Sequence, residues 1–293
     1  MVKHPHLYLW LCLSLLFTAC QPIQPQNNAS HSTPVPPKLF LQSPSSQSER
    51  TARDIFTQLA SSIAFVETPA GTGSGVLVEH GYLLSNAHVV WPFDKVRVVF
   101  PDGSEYLDTP VFAWDLVADL ALIGPIDTNI QPAPLTNNSE LEIGSDVYLI
   151  GYPAEVEKFP QPTITNGILS RIRRWDAINY SFFQVDATIT GGQSGGVLVT
   201  KRGDIVGIST FYYDSFGLAG SVTDAIDRLN AMLGNDTGVK LNTRTFPNGK
   251  GNSEQRDTLH NKWDVRRYIV QAPPDTEVEL SVEGIGRPQL SVT

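Results

Sequence analysis

The sequence predicts an all-β fold of short antiparallel strands, followed by one late helix. Apolar runs rich in Val, Ile, Tyr and Phe recur between residues 75 and 210, and Gly, Pro, Asn and Asp separate them. No alternation of strands with helices is visible, so the spacing favours an antiparallel sandwich or barrel. The helix is expected at residues 222–233, where Ile226, Leu229 and Leu233 share one face and Gly234 follows as a terminator.

The first 20 residues have the pattern of an export signal. Lys3 precedes an apolar run from Leu7 to Phe17, which is shorter than the roughly 20 residues that a membrane span requires. The ending Phe17-Thr18-Ala19-Cys20 resembles the bacterial lipoprotein processing box, in which the cysteine becomes the lipidated first residue. We therefore expect an exported protein of the cell envelope, anchored to a membrane through Cys20. A secreted protein, released by an ordinary signal cut nearby, is the alternative.

The remaining chain divides into three parts by composition. Residues 21–50 are rich in Pro, Ser and Gln and predict a disordered linker, and residues 51–235 contain the strand-like runs and the helix. Residues 236–293 begin as a polar stretch and then show alternation at Val278, Leu280 and Val282, which predicts a small C-terminal β segment. That piece is too short for a complete sandwich or a PDZ domain.

The overall composition excludes several classes of protein. The chain has 21 Lys and Arg against 30 Asp and Glu, and this acidic balance argues against a nucleic-acid-binding protein. Both cysteines lie within the first 20 residues, so the domain folds without disulfide bonds. Inside it, His80 and His88 are the only Cys or His side chains available as ligands, so we expect no zinc site. We also expect no other metal and no cofactor.

The segment GGQSGG at residues 191–196 is the strongest chemical signal. Its glycines allow close approach of the backbone to a substrate, and free N–H groups around Ser194 could stabilise an oxyanion. A serine of this kind needs a histidine as its base. The other histidines lie in the signal, the linker, an exposed turn or a polar C-terminal stretch, which leaves His88 in SNAHVV.

A buried carboxylate must orient that histidine. Asp119 directly enters the apolar strand LALI and is the first candidate. Asp115, four residues earlier, is the nearest competitor, and Asp108 is a weaker one.

Four segments in this order resemble the trypsin-like serine proteases of chymotrypsin fold, specifically the bacterial HtrA/Deg-like branch. They are GTGSGVLVEHGYLLSNAHVV at 71–90, DLALI at 119–123, PTITNGILS at 162–170 and FFQVDATITGGQSGGVLV at 182–199. The resemblance implies two antiparallel six-stranded β-barrels with a C-terminal helix. Because the C-terminal piece is too short for a PDZ domain, we expect a member of this branch without one.

The resemblance assigns roles to individual residues. Ser194 would be the nucleophile, His88 the general base and Asp119 the orienting carboxylate, with the N–H groups of Gly192 and Ser194 as the oxyanion hole. Gln193 departs from the Asp that digestive trypsin-like enzymes carry there, where it pairs with a newly freed N-terminus. Activation by that route is therefore not expected.

The resemblance also locates substrate contacts. Thr188 and Ile189 would line the primary pocket, and the strand Ser209, Thr210 and Phe211 would pair with an extended substrate. No carboxylate occupies the presumed base of the pocket. We therefore expect cleavage after small to medium aliphatic or uncharged side chains rather than after Lys or Arg.

The implied activity is a serine endopeptidase that acts on protein or peptide substrates through an acyl-enzyme. A catalytically silent binding or scaffold protein of the same fold is one alternative. The other starts from residues 192–196, which also satisfy the G-x-S-x-G motif of α/β-hydrolases. A strand rather than a helix follows this motif, and the histidine that fold requires would be His260, in a polar stretch. The sequence gives no indication of the oligomeric state.

Overall fold

The structure, a computed structural model, describes residues 36–154, 160–213 and 216–234, without the side chains of residues 177 and 211–213. The predicted signal with Cys20 and the predicted C-terminal β segment lie outside the described residues. Among the helices of the described residues, none has both the length and the apolar character needed to cross a membrane.

The first half of the domain is a closed six-stranded antiparallel barrel. Its strands are β2 (Ile63–Thr68), β3 (Gly71–Leu77), β4 (Leu83–Ser85), β5 (Lys95–Val99), β6 (Glu105–Asp115) and β7 (Leu120–Ile123). They pair in the order β2-β3-β4-β7-β6-β5, and β5 closes the barrel onto β2. A short helix, α2 (Ala87–Val90), follows β4.

The second half is a barrel of the same size. It consists of β9 (Asp146–Gly151), β10 (Thr163–Trp175), β11 (Tyr180–Val185), β12 (Val197–Thr200), β13 (Ile205–Tyr213) and β14 (Phe216–Ser221). The sheet closes because β13 pairs with both β12 and β14. Two short strands, β1 (Leu41–Gln42) and β8 (Leu135–Thr136), extend it in parallel from β13. The prediction of two antiparallel six-stranded barrels is confirmed.

Strands β4 and β7 of the first barrel, and most of β2, are buried on both faces, which explains their runs of consecutive apolar residues. Val66, Leu77 and Leu83 belong to an apolar cluster of the first barrel alone. Their neighbours Phe65 and Leu84 instead join a cluster that also contains side chains of the second barrel and of the C-terminal helix. This shared core holds the two barrels against each other.

The predicted late helix is confirmed as α3 (Val222–Leu233). Ser221 caps its first turn by accepting a hydrogen bond from Asp224 N at 3.2 Å, and Gly234 follows its last residue. Its buried face, which includes Ala225 and Leu229, packs in the core shared by both barrels. A shorter helix, α1 (Ala52–Leu59), precedes the first barrel and buries Ile55 and Leu59.

The predicted linker is wrong for residues 36–50. Leu39 is buried, its N–H donates to Asn230 Oδ1 at 2.8 Å, and its carbonyl accepts from Asn230 Nδ2 at 3.1 Å. Leu41 begins β1 and packs on the shared core. The average composition of this segment does not indicate these contacts. Two leucines are enough to attach the segment to the core, because Asn230 of α3 satisfies the backbone hydrogen bonds of Leu39.

Candidate active site

His88 lies in α2, directly after β4, and its imidazole contacts the carboxylate of Asp119. The distance from His88 Nδ1 to Asp119 Oδ2 is 2.8 Å, and His88 N donates to Asp119 Oδ1 at 3.0 Å. The side chain of His88 is 39% exposed and that of Asp119 only 10%. An imidazole that donates from Nδ1 to a carboxylate presents Nε2 as an acceptor on its accessible side.

The backbone around Asp119 is specialised to hold this carboxylate. Asp119 has a φ of +56°, in the left-handed region, at the turn from β6 into β7. Asn86 Nδ2 donates to its carbonyl at 2.8 Å, and Thr210 Oγ1 donates to Oδ2. The buried carboxylate therefore accepts hydrogen bonds from His88 N, His88 Nδ1 and Thr210 Oγ1, which offset its loss of hydration.

The two competing carboxylates are engaged elsewhere. Asp115 is buried, lies 2.5 Å from Arg228 Nη1, and accepts from the N–H groups of Val117 and Ala118. Asp108 is exposed, and its Oδ1 lies 4.0 Å from Lys95 Nζ. Of the three candidates from the sequence, Asp119 is the one whose carboxylate contacts His88.

Ser194 reaches the same place from the second barrel. Its Oγ donates to the Thr210 carbonyl at 3.0 Å, while the Thr210 hydroxyl donates to Asp119. Thr210 thus joins the serine to the histidine–carboxylate pair across the boundary between the barrels. Ser194 is half-buried, and its own carbonyl accepts from Ser74 N in β3 at 2.7 Å.

The glycines around Ser194 are required by the turn. Gly192 and Gly195 have φ of +87° and +86°, and a Cβ on Gly195 would collide with the Ser74 carbonyl. The N–H groups of Gln193, Gly195 and Gly196 donate to Thr190 O, Ser209 O and Gln193 O. Those of Gly192 and Ser194 donate to no acceptor among the described residues, so both amides are available to an oxygen beside the serine.

Gln193 stabilises this turn from inside the second barrel. It is 2% exposed, and its Oε1 accepts from Thr190 N at 2.7 Å. Its Nε2 donates to Thr163 Oγ1 at 3.2 Å. Gln193, which replaces the Asp of the digestive enzymes, therefore makes neutral hydrogen bonds within the second barrel.

The residues expected to contact substrate do not all face an open surface. Thr188 is exposed, and Ile189 lies over Gly217, where a Cβ would collide with its Cδ1. Ser209 is fully buried, and its backbone C=O and N–H are bonded to Gly195 N and Gly196 O inside the barrel. Only the backbone of Phe211 lies within the described residues.

The hydroxyl of Thr210 donates to Asp119, whereas the prediction for this residue concerned pairing of its backbone with a substrate. The sequence contains no signal for this contact, since the two residues are 91 positions apart. His80 is exposed as predicted, and its Nε2 lies 2.9 Å from Lys38 O. Among the described residues, no three His, Cys, Asp or Glu side chains converge to hold a metal ion.

Comparison with known proteins finds similarity to serine proteases. Residues 73–208 match the family described as "Trypsin-like peptidase domain". A putative serine protease, HhoA from Synechocystis, is 37% identical over 150 residues, covering 48% of this chain and 37% of that protein. A probable periplasmic serine endoprotease, DegP-like, from Buchnera aphidicola is 34% identical over 144 residues, covering 47% and 30%.

A solved structure of a serine endoprotease has a similar fold. The serine endoprotease from Yersinia pestis superposes with a TM-score of 0.55 at 28% identity, covering 64% of this chain and 68% of that chain. The chain spans about a third of the length of the curated relatives it matches. Residues 73–208 are therefore similar to a trypsin-like peptidase domain, and serine proteases of the HtrA and DegP type are among the proteins that the chain resembles.

Proposed function

We propose that the protein is a serine endopeptidase in which Ser194, His88 and Asp119 form the catalytic triad. The observation that carries the proposal is the bridge through Thr210, which bonds Ser194 Oγ with its carbonyl and Asp119 with its hydroxyl. Through it, a serine hydroxyl, an imidazole oriented by a carboxylate and two unengaged amides share one site. These are the parts that acyl transfer to serine requires.

In the proposed reaction, the Ser194 hydroxyl turns from the Thr210 carbonyl toward His88 and attacks the peptide carbonyl carbon. Its proton passes to His88 Nε2, and Asp119 stabilises the resulting imidazolium through Nδ1. The negative oxygen of the tetrahedral intermediate accepts from the N–H groups of Gly192 and Ser194.

Breakdown of that intermediate breaks the carbon–nitrogen bond, and the departing amine takes the proton from His88. The acyl group then remains on Ser194 Oγ as an ester. Water attacks this ester and gives a proton to His88, which returns it to Ser194 as the carboxylic acid leaves. The cycle consumes one water and needs no cofactor.

For substrates, we propose extended peptides with a small to medium uncharged side chain before the cleaved bond. Position 188 is a threonine rather than a carboxylate, and Ile189 fills the space above Gly217. A pocket narrowed by an isoleucine excludes long cationic side chains and offers them no counter-charge. Dominant cleavage after Lys or Arg in a peptide library would contradict this preference.

We also propose that the peptidase is exported and tethered to a membrane of the cell envelope by a lipid on Cys20. The proposal follows from the signal-like residues 1–20 and the processing-box pattern that ends at Cys20. Labelled palmitate should enter wild type and Cys12→Ala but not Cys20→Ala. Export of unlabelled wild-type protein would favour the secreted alternative.

The peptidase proposal is tested with a fluorophosphonate probe, which reacts with activated serines. We expect wild type to be labelled, Ser194→Ala to be inert, and His88→Ala to react far more slowly. Ser139→Ala is the matched control, because Ser139 is an exposed serine whose hydroxyl donates to the side chain of Asn137. Labelling that persists in Ser194→Ala would show a different nucleophile. Folded wild type that neither reacts nor cleaves peptides would favour a silent scaffold.

A further inference from the structure

Ser74 is a fully buried serine of β3 that makes four hydrogen bonds at the boundary between the barrels. Its Oγ donates to Gly192 O at 2.9 Å and accepts from Tyr152 N at 2.8 Å. Its N–H donates to Ser194 O at 2.7 Å, and its carbonyl accepts from Ser85 Oγ at 2.7 Å. Gly192, Tyr152 and Ser194 all belong to the second half of the chain.

The backbone bond to Ser194 would form with any residue except proline at position 74, whereas the two bonds of the hydroxyl depend on the side chain of Ser74. Because Oγ accepts from Tyr152 N, its own proton is directed to Gly192 O. The hydroxyl therefore ties the carbonyl of Gly192 to the first barrel and to the end of β9. Both partners would lose a hydrogen bond if the side chain were shortened.

These contacts determine how the peptides around Gly192 are oriented. A peptide plane points its C=O and N–H groups in opposite directions. The plane between Gly192 and Gln193 is fixed by Ser74 on its carbonyl and by Thr190 O, at 3.2 Å, on its N–H. In the preceding plane, Gly191 O accepts from Ala154 N at 2.6 Å, so the Gly192 N–H points away from Ala154.

We propose that Ser74 is a positioning residue for the oxyanion loop, residues 191–194, and this role rests on the proposed peptidase function. Gly192 has no side chain to restrain it and is shared by both peptide planes. The hydrogen bond from Ser74 Oγ holds the carbonyl of Gly192 in place. This restraint limits rotation of the Gly192 backbone, which would turn the Gly192 N–H away from the direction of the Ser194 N–H. Ser74 itself touches neither the substrate nor the reacting atoms.

The test is Ser74→Ala in the full chain, assayed with a peptide substrate and with a peptide boronate that forms a tetrahedral adduct on the serine. Loss of a direct oxyanion donor costs about 10²–10³-fold in kcat, and we expect roughly 10–100-fold for a residue that positions one. KM should change less than about threefold, since ground-state binding does not use the oxyanion loop. Boronate affinity should fall in parallel with kcat/KM.

The matched control is Ser62→Ala. Ser62 is 4% exposed, and its Oγ donates to Gln131 O at 2.8 Å, so it loses a similar buried hydrogen bond away from the loop. It should keep wild-type kcat. Ser74→Cys, which retains a weak donor of similar shape, should be intermediate and serves where Ser74→Ala fails to fold.

If the wild type is active and folded Ser74→Ala keeps its kcat and boronate affinity, the role of Ser74 is overturned and the peptidase proposal stands. The same result in Ser74→Cys has the same meaning where Ser74→Ala does not fold. An equal loss in Ser62→Ala would overturn it too, because the effect would then reflect general destabilisation. A wild type inert to substrate, boronate and fluorophosphonate would overturn the peptidase proposal, and this role with it.

Discussion

At the scale of single residues, two carboxylates four positions apart have different partners. Asp119 accepts from both nitrogens that His88 presents to it and from the Thr210 hydroxyl. Asp115 holds Arg228 at 2.5 Å, and Arg228 Nη2 also donates to Ile178 O at 2.8 Å. The first contact can orient an imidazole, whereas the second joins β6 to α3. We therefore expect substitution of Asp119 to lower kcat and substitution of Asp115 to lower the free energy of unfolding.

Asp119→Asn should lower kcat by about 10⁴-fold while KM changes little. An amide NH₂ cannot accept from His88 Nδ1–H, so the imidazole favours the tautomer with its proton on Nε2, which cannot take the proton of Ser194. The measurement is the initial rate on a peptide substrate, divided by the folded fraction. A loss below tenfold would show that Asp119 does not orient His88.

Asp115→Asn should instead lower the free energy of unfolding by about 3–5 kcal/mol, because it leaves the buried Arg228 without its carboxylate. The arginine and aspartate side chains are 6% and 4% exposed, so water cannot replace the lost partner. Denaturant unfolding measures the change, and kcat per folded molecule should stay near wild type. An unchanged stability with a collapsed kcat would reverse the two assignments.

At the scale of secondary-structure elements, α1 begins with a capping box. Thr51 Oγ1 donates to Asp54 Oδ2 at 2.7 Å and accepts from Asp54 N at 3.2 Å. These hydrogen bonds from Thr51 hold the pKa of Asp54 below its ordinary value. A carboxyl whose pKa is lowered by folding stabilises the fold above its unfolded-state pKa, and this contribution is lost as the pH falls through the folded-state pKa.

Thr51→Ala should therefore lower the melting temperature by about 2–4 °C at neutral pH, the usual size of a lost N-cap in a domain of this length. The difference from wild type should shrink in acid, as the pH falls through the lowered folded-state pKa of Asp54 and its carboxylate becomes protonated. Thr57→Ala is the control within the same helix, since its hydroxyl donates to Arg53 O on the exposed face and does not cap the first turn. Equal melting temperatures of wild type and Thr51→Ala at neutral pH would contradict the capping role.

The elements and the triad candidates could be predicted from sequence because their signals are local. Strand-like runs, the face of α3 and the glycines around Ser194 are each contained within a few consecutive residues. The contacts of Thr210 with Asp119 and of Ser74 with Gly192 span 91 and 118 positions. They exist only because the two barrels dock, so no local pattern of β13 or β3 indicates them.

At the scale of the whole molecule, the chain before α1 is fastened to the end of α3. Leu39 is 2% exposed in the core shared by both barrels, whereas its neighbour Phe40 is 66% exposed. Both backbone groups of Leu39 bond the side chain of Asn230. The segment from residue 36 to residue 50 is thus part of the domain and links its start to its last helix.

Leu39→Ala should lower the free energy of unfolding by about 2–5 kcal/mol, because it leaves a cavity in that core. Phe40→Ala is the matched control: it removes a larger side chain one position away, yet one that is mostly in water, so it should cost under about 1 kcal/mol. Denaturant unfolding of both variants gives the comparison. If Leu39→Ala and Phe40→Ala are equally stable, residues 36–50 lie on the domain without contributing to its stability. The stable domain would then begin at residue 51, where the composition changes.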